Sequence, residues 1–302
     1  MSHPPADTLP TDNLRGALWM LASSVCFATS GLAVKKMGSE LPVPMIAMGR
    51  VVFGLIFIVP FLVKYGPRIF YTRQPGWHLL RLAGSTGSIL FGFYAITHLP
   101  YATAVSLSFT RPLFIILIAV IFLGEIVRWR RGLATAVGFM GVVIMLGPTD
   151  VGFTLPALSA LAAAASVSIA LAVIRKHAAT EGLAFMSWFF VGSVVLLAPI
   201  TAMYWQTPQG LQWAYLVFIG VVASAGQYCL LRSMMIAEAT VVSPIDYFQI
   251  IIAAVAGFYI FGELPTVWTG VGAVVIVCAT LYILFREARL NVQPAPPPLD
   301  KP

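Results

Sequence analysis

Ala102-Thr103-Ala104-Val105-Ser106 and Ala239-Thr240-Val241-Val242-Ser243 are near copies of one another, 137 residues apart. Each opens an apolar stretch that ends in Gly-Glu, at Gly124-Glu125 and at Gly262-Glu263, and the stretches that follow carry Gly132 and Gly270, a spacing of 138. Trp77 and Trp213 stand near the start of a further matching pair of stretches. A chain of 302 residues that repeats itself at this interval is built from two related halves.

Outward from the repeat the chain is apolar almost throughout, with 59% hydrophobic residues, 10% charged residues and a mean hydropathy of +0.91. Soluble domains carry about 25% charged residues, and in water a chain this apolar would expose large patches that drive association. Lipid removes the conflict. A helix needs about 20 apolar residues to cross the hydrocarbon core. That ruler marks ten spans, at 14–34, 43–63, 78–97, 102–123, 130–147, 153–174, 183–204, 212–234, 240–261 and 266–285. Five spans per half is an odd number, so the second half enters the membrane from the opposite side. The expected fold is an all-α membrane protein of ten transmembrane helices, arranged as two inverted five-helix repeats, 14–147 and 153–285. Residues 1–13 read as a short cytoplasmic tail. Residues 286–302, with Pro294, Pro296, Pro297 and Pro298, read as a disordered one.

Charge sets the orientation. With the N-terminus inside, fourteen of the eighteen Lys and Arg residues fall on the inner side and only Lys35 and Lys36 on the outer, while Arg50 and Arg111 lie within spans. Both termini are therefore expected in the cytoplasm of a multi-pass protein of the bacterial inner membrane. The formal net charge of +7 is explained by these short loops and does not point to nucleic acid. Cys26, Cys229 and Cys278 are scattered through apolar stretches and form neither a disulfide framework nor a zinc site. There is no HExxH, GxSxG or GxxxxGK[ST] pattern, and the four histidines lack ligand spacing, so hydrolytic chemistry and ATP-driven pumping by this chain are not expected.

Charge inside a span is a functional hypothesis by default. Arg111 sits mid-span before Pro112, which removes a helix hydrogen bond and can open the backbone beside it. Asp246 lies in the equivalent span of the second half, matched by the repeat to Phe109. Facing each other, the two would neutralise one another; parted, they could hold the carboxylate and ammonium of a zwitterion. Asp246 could also carry a coupling proton. Arg50, seven residues into its span, either faces a cavity or snorkels to the surface. Ser106, Ser108, Gln227, Tyr94 and Tyr247 are candidate hydrogen-bonding groups, and Trp19 and Trp188 candidate cavity walls, although membrane aromatics commonly serve as belt or packing residues. Glu125 and Glu263 read as structural helix-end residues.

The five-helix halves, the Ala-Thr-x-Val-Ser openings and the Gly-Glu helix ends resemble the drug/metabolite transporter superfamily, EamA type, over residues 14 to 285. The resemblance implies a central cavity lined by both halves and alternating access without a bound cofactor. The family's members export amino acids and other metabolites, and some import vitamins or nucleotide-like solutes. Arg50 matches an arginine seen early in the family's second helix, and Pro112 a proline seen in its fourth. Where the ninth helix usually has proline this chain has Gln249, with Pro244 five residues earlier, so the kink there is expected to be displaced. Arg111 and Asp246 lie outside the shared pattern and are expected to encode substrate choice. The resulting expectation is a secondary transporter of a small anionic or zwitterionic, amino-acid-like metabolite, as an exporter, working as a monomer or homodimer with protons as a candidate coupling ion. The rivals are an importer of a vitamin or nucleotide-like solute, and a non-transporting sensor or assembly subunit.

Overall fold

The computed structural model describes residues 12–57, 59, 63, 64, 66, 71, 72, 74–123, 129–146 and 152–289. Among these the regular structure is helical: α1 (Asn13–Met37), α2 (Val43–Gly54, prolonged by a 3-10 turn at Leu55–Phe57), α3 (Pro75–His98), α4 (Tyr101–Ser108), α5 (Arg111–Leu123), α6 (Trp129–Leu146), α7 (Leu155–Met203), α8 (Leu211–Ile236), α9 (Ala239–Asp246), α10 (Phe248–Phe261) and α11 (Val267–Arg289). The expected N-terminal tail up to residue 11, the Gly124-Glu125 helix end and the tail beyond Arg289 lie outside the described residues.

Eight stretches among the described residues are long and apolar enough to cross a bilayer, and Val43–Gly54 and Trp188–Met203 are shorter apolar helices. Large apolar side chains cover the outer faces. On α1 they are Leu14, Leu18, Leu21 and Val25; on α10 they are Ile251, Val255, Phe258 and Tyr259. In lipid this is the solvated arrangement.

Two spans expected at 153–174 and 183–204 are joined in the single 49-residue α7. A straight helix would hold Ser166 and Ser193 about 40 Å apart at 1.5 Å per residue. Yet a Cβ built on Gly84 of α3 would lie 2.7 Å from the Ser166 carbonyl oxygen. Two residues on, the Thr86 hydroxyl is 2.8 Å from the Ser193 hydroxyl. The two arms of α7 therefore lie beside the same helix rather than end to end, and α7 bends sharply between them.

The expected spans at 102–123 and 240–261 are each split in two. The first pieces begin at Tyr101 and Ala239 and are capped by Phe109 and Tyr247, so both landmarks stand 138 residues apart. This is one residue off the register of the sequence motif. It sets Tyr247 opposite Phe109 and Asp246 opposite Ser108. The second break is consequently not displaced: it lies between Pro244 and Gln249, where the register of the first places it.

Packing follows small residues, as expected where lipid gives no hydrophobic drive between helices. The α1–α8 seam closes where Gly16 meets Ala237 and where the Ser23 hydroxyl donates to the Gly226 carbonyl at 2.9 Å. The α3–α7 seam uses Gly84, Gly92, Ala163 and Ala170. In the α6–α11 seam main chain meets main chain: a Cβ on Gly272 would sit 2.6 Å from the Gly141 carbonyl oxygen and 2.9 Å from the Met145 nitrogen, both backbone atoms. Gly272→Ala is therefore expected to cost about 1–3 kcal/mol through overpacking, read as a lower melting temperature in nanodiscs. Gly270→Ala, in the same helix but with open space around it, should be neutral or slightly stabilising because alanine is the better helix former.

Candidate functional site

The site begins with a missing donor. Helical residue 112 should donate its N–H to the carbonyl of residue 108, but Pro112 has none. The chain leaves the α-helix at Phe109 and Thr110, whose amides bond three residues back to Ser106 and Leu107 at 3.1 Å each. The Ser108 carbonyl is taken up by a side chain instead: Arg111 Nε donates to it at 3.0 Å. The proline that opens the helix thus also fixes the stem of the neighbouring guanidinium.

The second break meets the first. The rings of Phe109 and Tyr247 pack with centroids 4.7 Å apart and planes tilted by 40°, and the guanidinium of Arg111 lies over the Phe109 ring at 5.6 Å. Across the junction Arg111 Nη2 is 4.0 Å from Asp246 Oδ2, with the two side chains 36% and 20% exposed. The pair is loose at this length and partly accessible, so its separation requires little desolvation work. Asp246 Oδ1 accepts from Gln249 Nε2, one helical turn on, and from the Ser24 hydroxyl at 3.4 Å.

These groups face a cavity of about 260 Å3. Of the residues singled out from the sequence, Arg50, Ser108, Arg111, Gln227 and Asp246 line it, joined by Ser30, Ser88 and Gln249. Phe27, Phe93 and Tyr101 supply aromatic wall, and Ala160, Ala163 and Ala164 keep one side low. The other candidates are not among the lining residues. Ser106 is buried with an unpartnered hydroxyl. Tyr94 stacks on His98 at 4.1 Å. The Tyr247 hydroxyl shares a short hydrogen bond with Thr280. Trp188 packs beside His78 and Trp19 edge-on against Tyr228.

Next to the cavity, beyond its lining residue Tyr101, lies a group of contacts between residues far apart in the sequence. Lys35 Nζ, at the end of α1, is 2.7 Å from Glu263 Oε1 and donates to the Leu99 carbonyl at 2.6 Å. Glu263 Oε2 in turn accepts from the Tyr101 amide at 2.7 Å. Four helix ends are thereby tied by two side chains. Beneath them the buried Tyr101 donates its hydroxyl to the Ala28 carbonyl at 2.7 Å and fills the space over Gly31. The signal for this pair was present in the sequence: both charges fall on one side of the ten-span reading.

Lys35→Ala should loosen this end. With Cys26, Cys229 and Cys278 replaced by alanine and a single cysteine placed at Ala104, which is 4% exposed, labelling by a charged maleimide added from the Lys35 side is expected to rise severalfold. Unchanged labelling would mean that the ion pair does not hold the closure.

The profile of the EamA-like transporter family matches twice, at residues 14–147 and 154–285. The chain is 33% identical to the S-adenosylmethionine uptake transporter of Rickettsia prowazekii over 284 residues, covering 91% of this chain and 94% of that protein. It is 31% identical to the riboflavin transporter of Rhizobium johnstonii over 297 residues, covering 95% and 96%. It is 28% identical to a pseudopaline exporter of Pseudomonas aeruginosa, covering 88% and 94%. A solved crystal structure superposes with a TM-score of 0.63 at 19% identity, over 92% of this chain and 99% of that one, a likeness of fold alone. Apolar helices that suit a bilayer, a polar cavity at two helix breaks and relatives named as carriers agree on a multi-pass bacterial membrane protein that transports a small molecule and is not an enzyme, and the chain belongs to the EamA-like transporter family.

Proposed function

We propose that the chain is a secondary transporter that imports an amino-acid-like zwitterion bearing a larger ring system, S-adenosylmethionine being the representative. The carrying observation is the Arg111–Asp246 pair, which bridges two helix breaks at the cavity wall. Broken helices present half-helix termini and unpaired backbone groups, and in transporters they form substrate sites. A carboxylate and guanidiniums on one wall match the ammonium and carboxylate of such a solute. The aromatic side chains match a planar ring. The uptake carriers among the relatives support import over the export expected from the sequence.

The reading includes alternating access by two inverted five-helix halves of ten spans. Its support is the pairing of helices. α1 packs along α8 while the first arm of α7 packs along α3, and α6 and α11, the last helix of each half, pack on each other. Those are the contacts a two-fold axis in the membrane plane would generate. On the Lys35 side α4 packs against α10. Beyond the breaks α5 lies against α7 and α6, and α9 against α1. The cavity is accordingly read as closed toward Lys35 and accessible from the opposite side, which the charge distribution makes cytoplasmic.

Reconstituted protein should take up labelled S-adenosylmethionine saturably, and Asp246→Asn and Arg111→Gln should each lower the rate at least about tenfold, the weight of one charge-assisted contact, without changing the melting temperature by more than a few degrees. Flux equal to that of protein-free vesicles, for this solute and for riboflavin, would remove the reading. For orientation, a cysteine at the exposed Ser39 should be labelled by an impermeant reagent in intact spheroplasts, and one at Gln74 only after permeabilisation. The reverse pattern would invert the topology.

A further inference from the structure

Among the described residues Arg50 has no partner. It sits in the middle of α2 and lines the cavity with Ser30 of α1 and Gln227 of α8. Among the described residues no hydrogen bond, ion pair or ring contact reaches its side chain. Arg111 is committed twice, to the Ser108 carbonyl and to Asp246. The charged groups on the cavity wall are Arg50, Arg111 and Asp246, so the wall carries one uncompensated positive charge, and that charge belongs to Arg50. A cation at bilayer depth normally pairs or faces a polar cavity, and its retention marks a functional position. A guanidinium is also the group best shaped to take a carboxylate through two parallel hydrogen bonds.

We infer that Arg50, rather than Arg111, is the anion site of the transporter, and that the solute's carboxylate supplies its missing counter-charge. The division of labour follows from the geometry. Arg50 is free to bind as soon as solute enters. Asp246 becomes available to a cationic group only as its loose contact with Arg111 parts, which couples recognition of the solute's positive end to movement at the two breaks. Gln227 adds hydrogen-bonding capacity to the same cavity. This assignment rests on the carrier reading above, but it concerns binding and is testable without flux.

The test uses the full-length chain in nanodiscs and three matched pairs: S-adenosylmethionine with its decarboxylated form, methionine with its decarboxylated amine, and tryptophan with tryptamine. Binding is read by calorimetry. In the native protein the carboxylate member of at least one pair should bind about tenfold or more tightly than its amine, as a bidentate charged contact warrants. The preference should vanish in Arg50→Gln, return in part in Arg50→Lys, and persist in Arg111→Gln even where affinity falls. Without ligand, Arg50→Gln should melt no lower than the native protein, because removing an unpaired, partly buried charge relieves a cost. The assignment is overturned if no pair shows the preference, absence of all binding included. It is equally overturned if the preference survives Arg50→Gln, is lost in Arg111→Gln alone, or if the unliganded Arg50→Gln protein melts lower. Uptake into vesicles is read separately. Carboxylate preference without flux keeps the anion site and discards the carrier reading; flux whose rate ignores Arg50 does the opposite.

Discussion

In hydrocarbon every backbone N–H and C=O must find its partner within the protein, and Pro112 makes that impossible for an unbroken helix through Ser108. Much of the centre of the molecule follows from how the vacancy is filled. The Arg111 guanidinium turns back onto the Ser108 carbonyl, and the same turn sets its outer nitrogen toward Asp246. The second break, at Tyr247, brings an aromatic ring against Phe109 and places a carboxylate within reach of the guanidinium. Neither charge would be tolerable on a continuous lipid-facing helix. Both are tolerable here because the two interruptions share one polar pocket.

The two ends of the cavity are built differently. At the Lys35 end short, half-buried contacts tie α1, α3, α4 and α10 through Lys35 and Glu263, with the buried Tyr101 below. At the level of the breaks the contacts are longer and partly wetted. In the proposed cycle this asymmetry defines which interactions must be exchanged. The tight network at one end has to be released in the step that tightens the loose end, and solute bound between them can favour one arrangement only through contacts that differ between the two.

Much of the architecture was legible because lipid makes hydropathy a ruler. The stretches at 102, 130, 212 and 266 begin within a residue of the observed helices, with Pro100, Gly210 and Pro265 just ahead of three of them. Pro112 also announced a break, since the loss of its N–H is a local property. The second break lacked that signal, with Ile250 opposite Pro112 in the observed register, and that register emerged only from the element starts. The polar run after Ile174 looked like a loop between spans; it continues as helix, and only the shared contacts with α3 reveal that α7 doubles back. Which side chains enter the cavity was not legible either. Successive helical residues point about 100° apart, so a small rotation decides that Gln227 looks inward while Trp19 and Trp188 lean on Tyr228 and His78. The pairing of Lys35 with Glu263, 228 positions apart, is likewise a product of packing.

The glycine seam between α6 and α11 bears on mechanics. Main chain rests directly on main chain there, with no flexible side chain between Gly141 and Gly272 to bow or re-pack. Sliding of one helix past the other would drive carbonyls into backbone nitrogens, so the two behave as a single stiff beam across the joint between the halves. In the proposed cycle deformation is thereby shut out of that joint and concentrated at Phe109 and Tyr247, the bearings about which the rest of each half would swing.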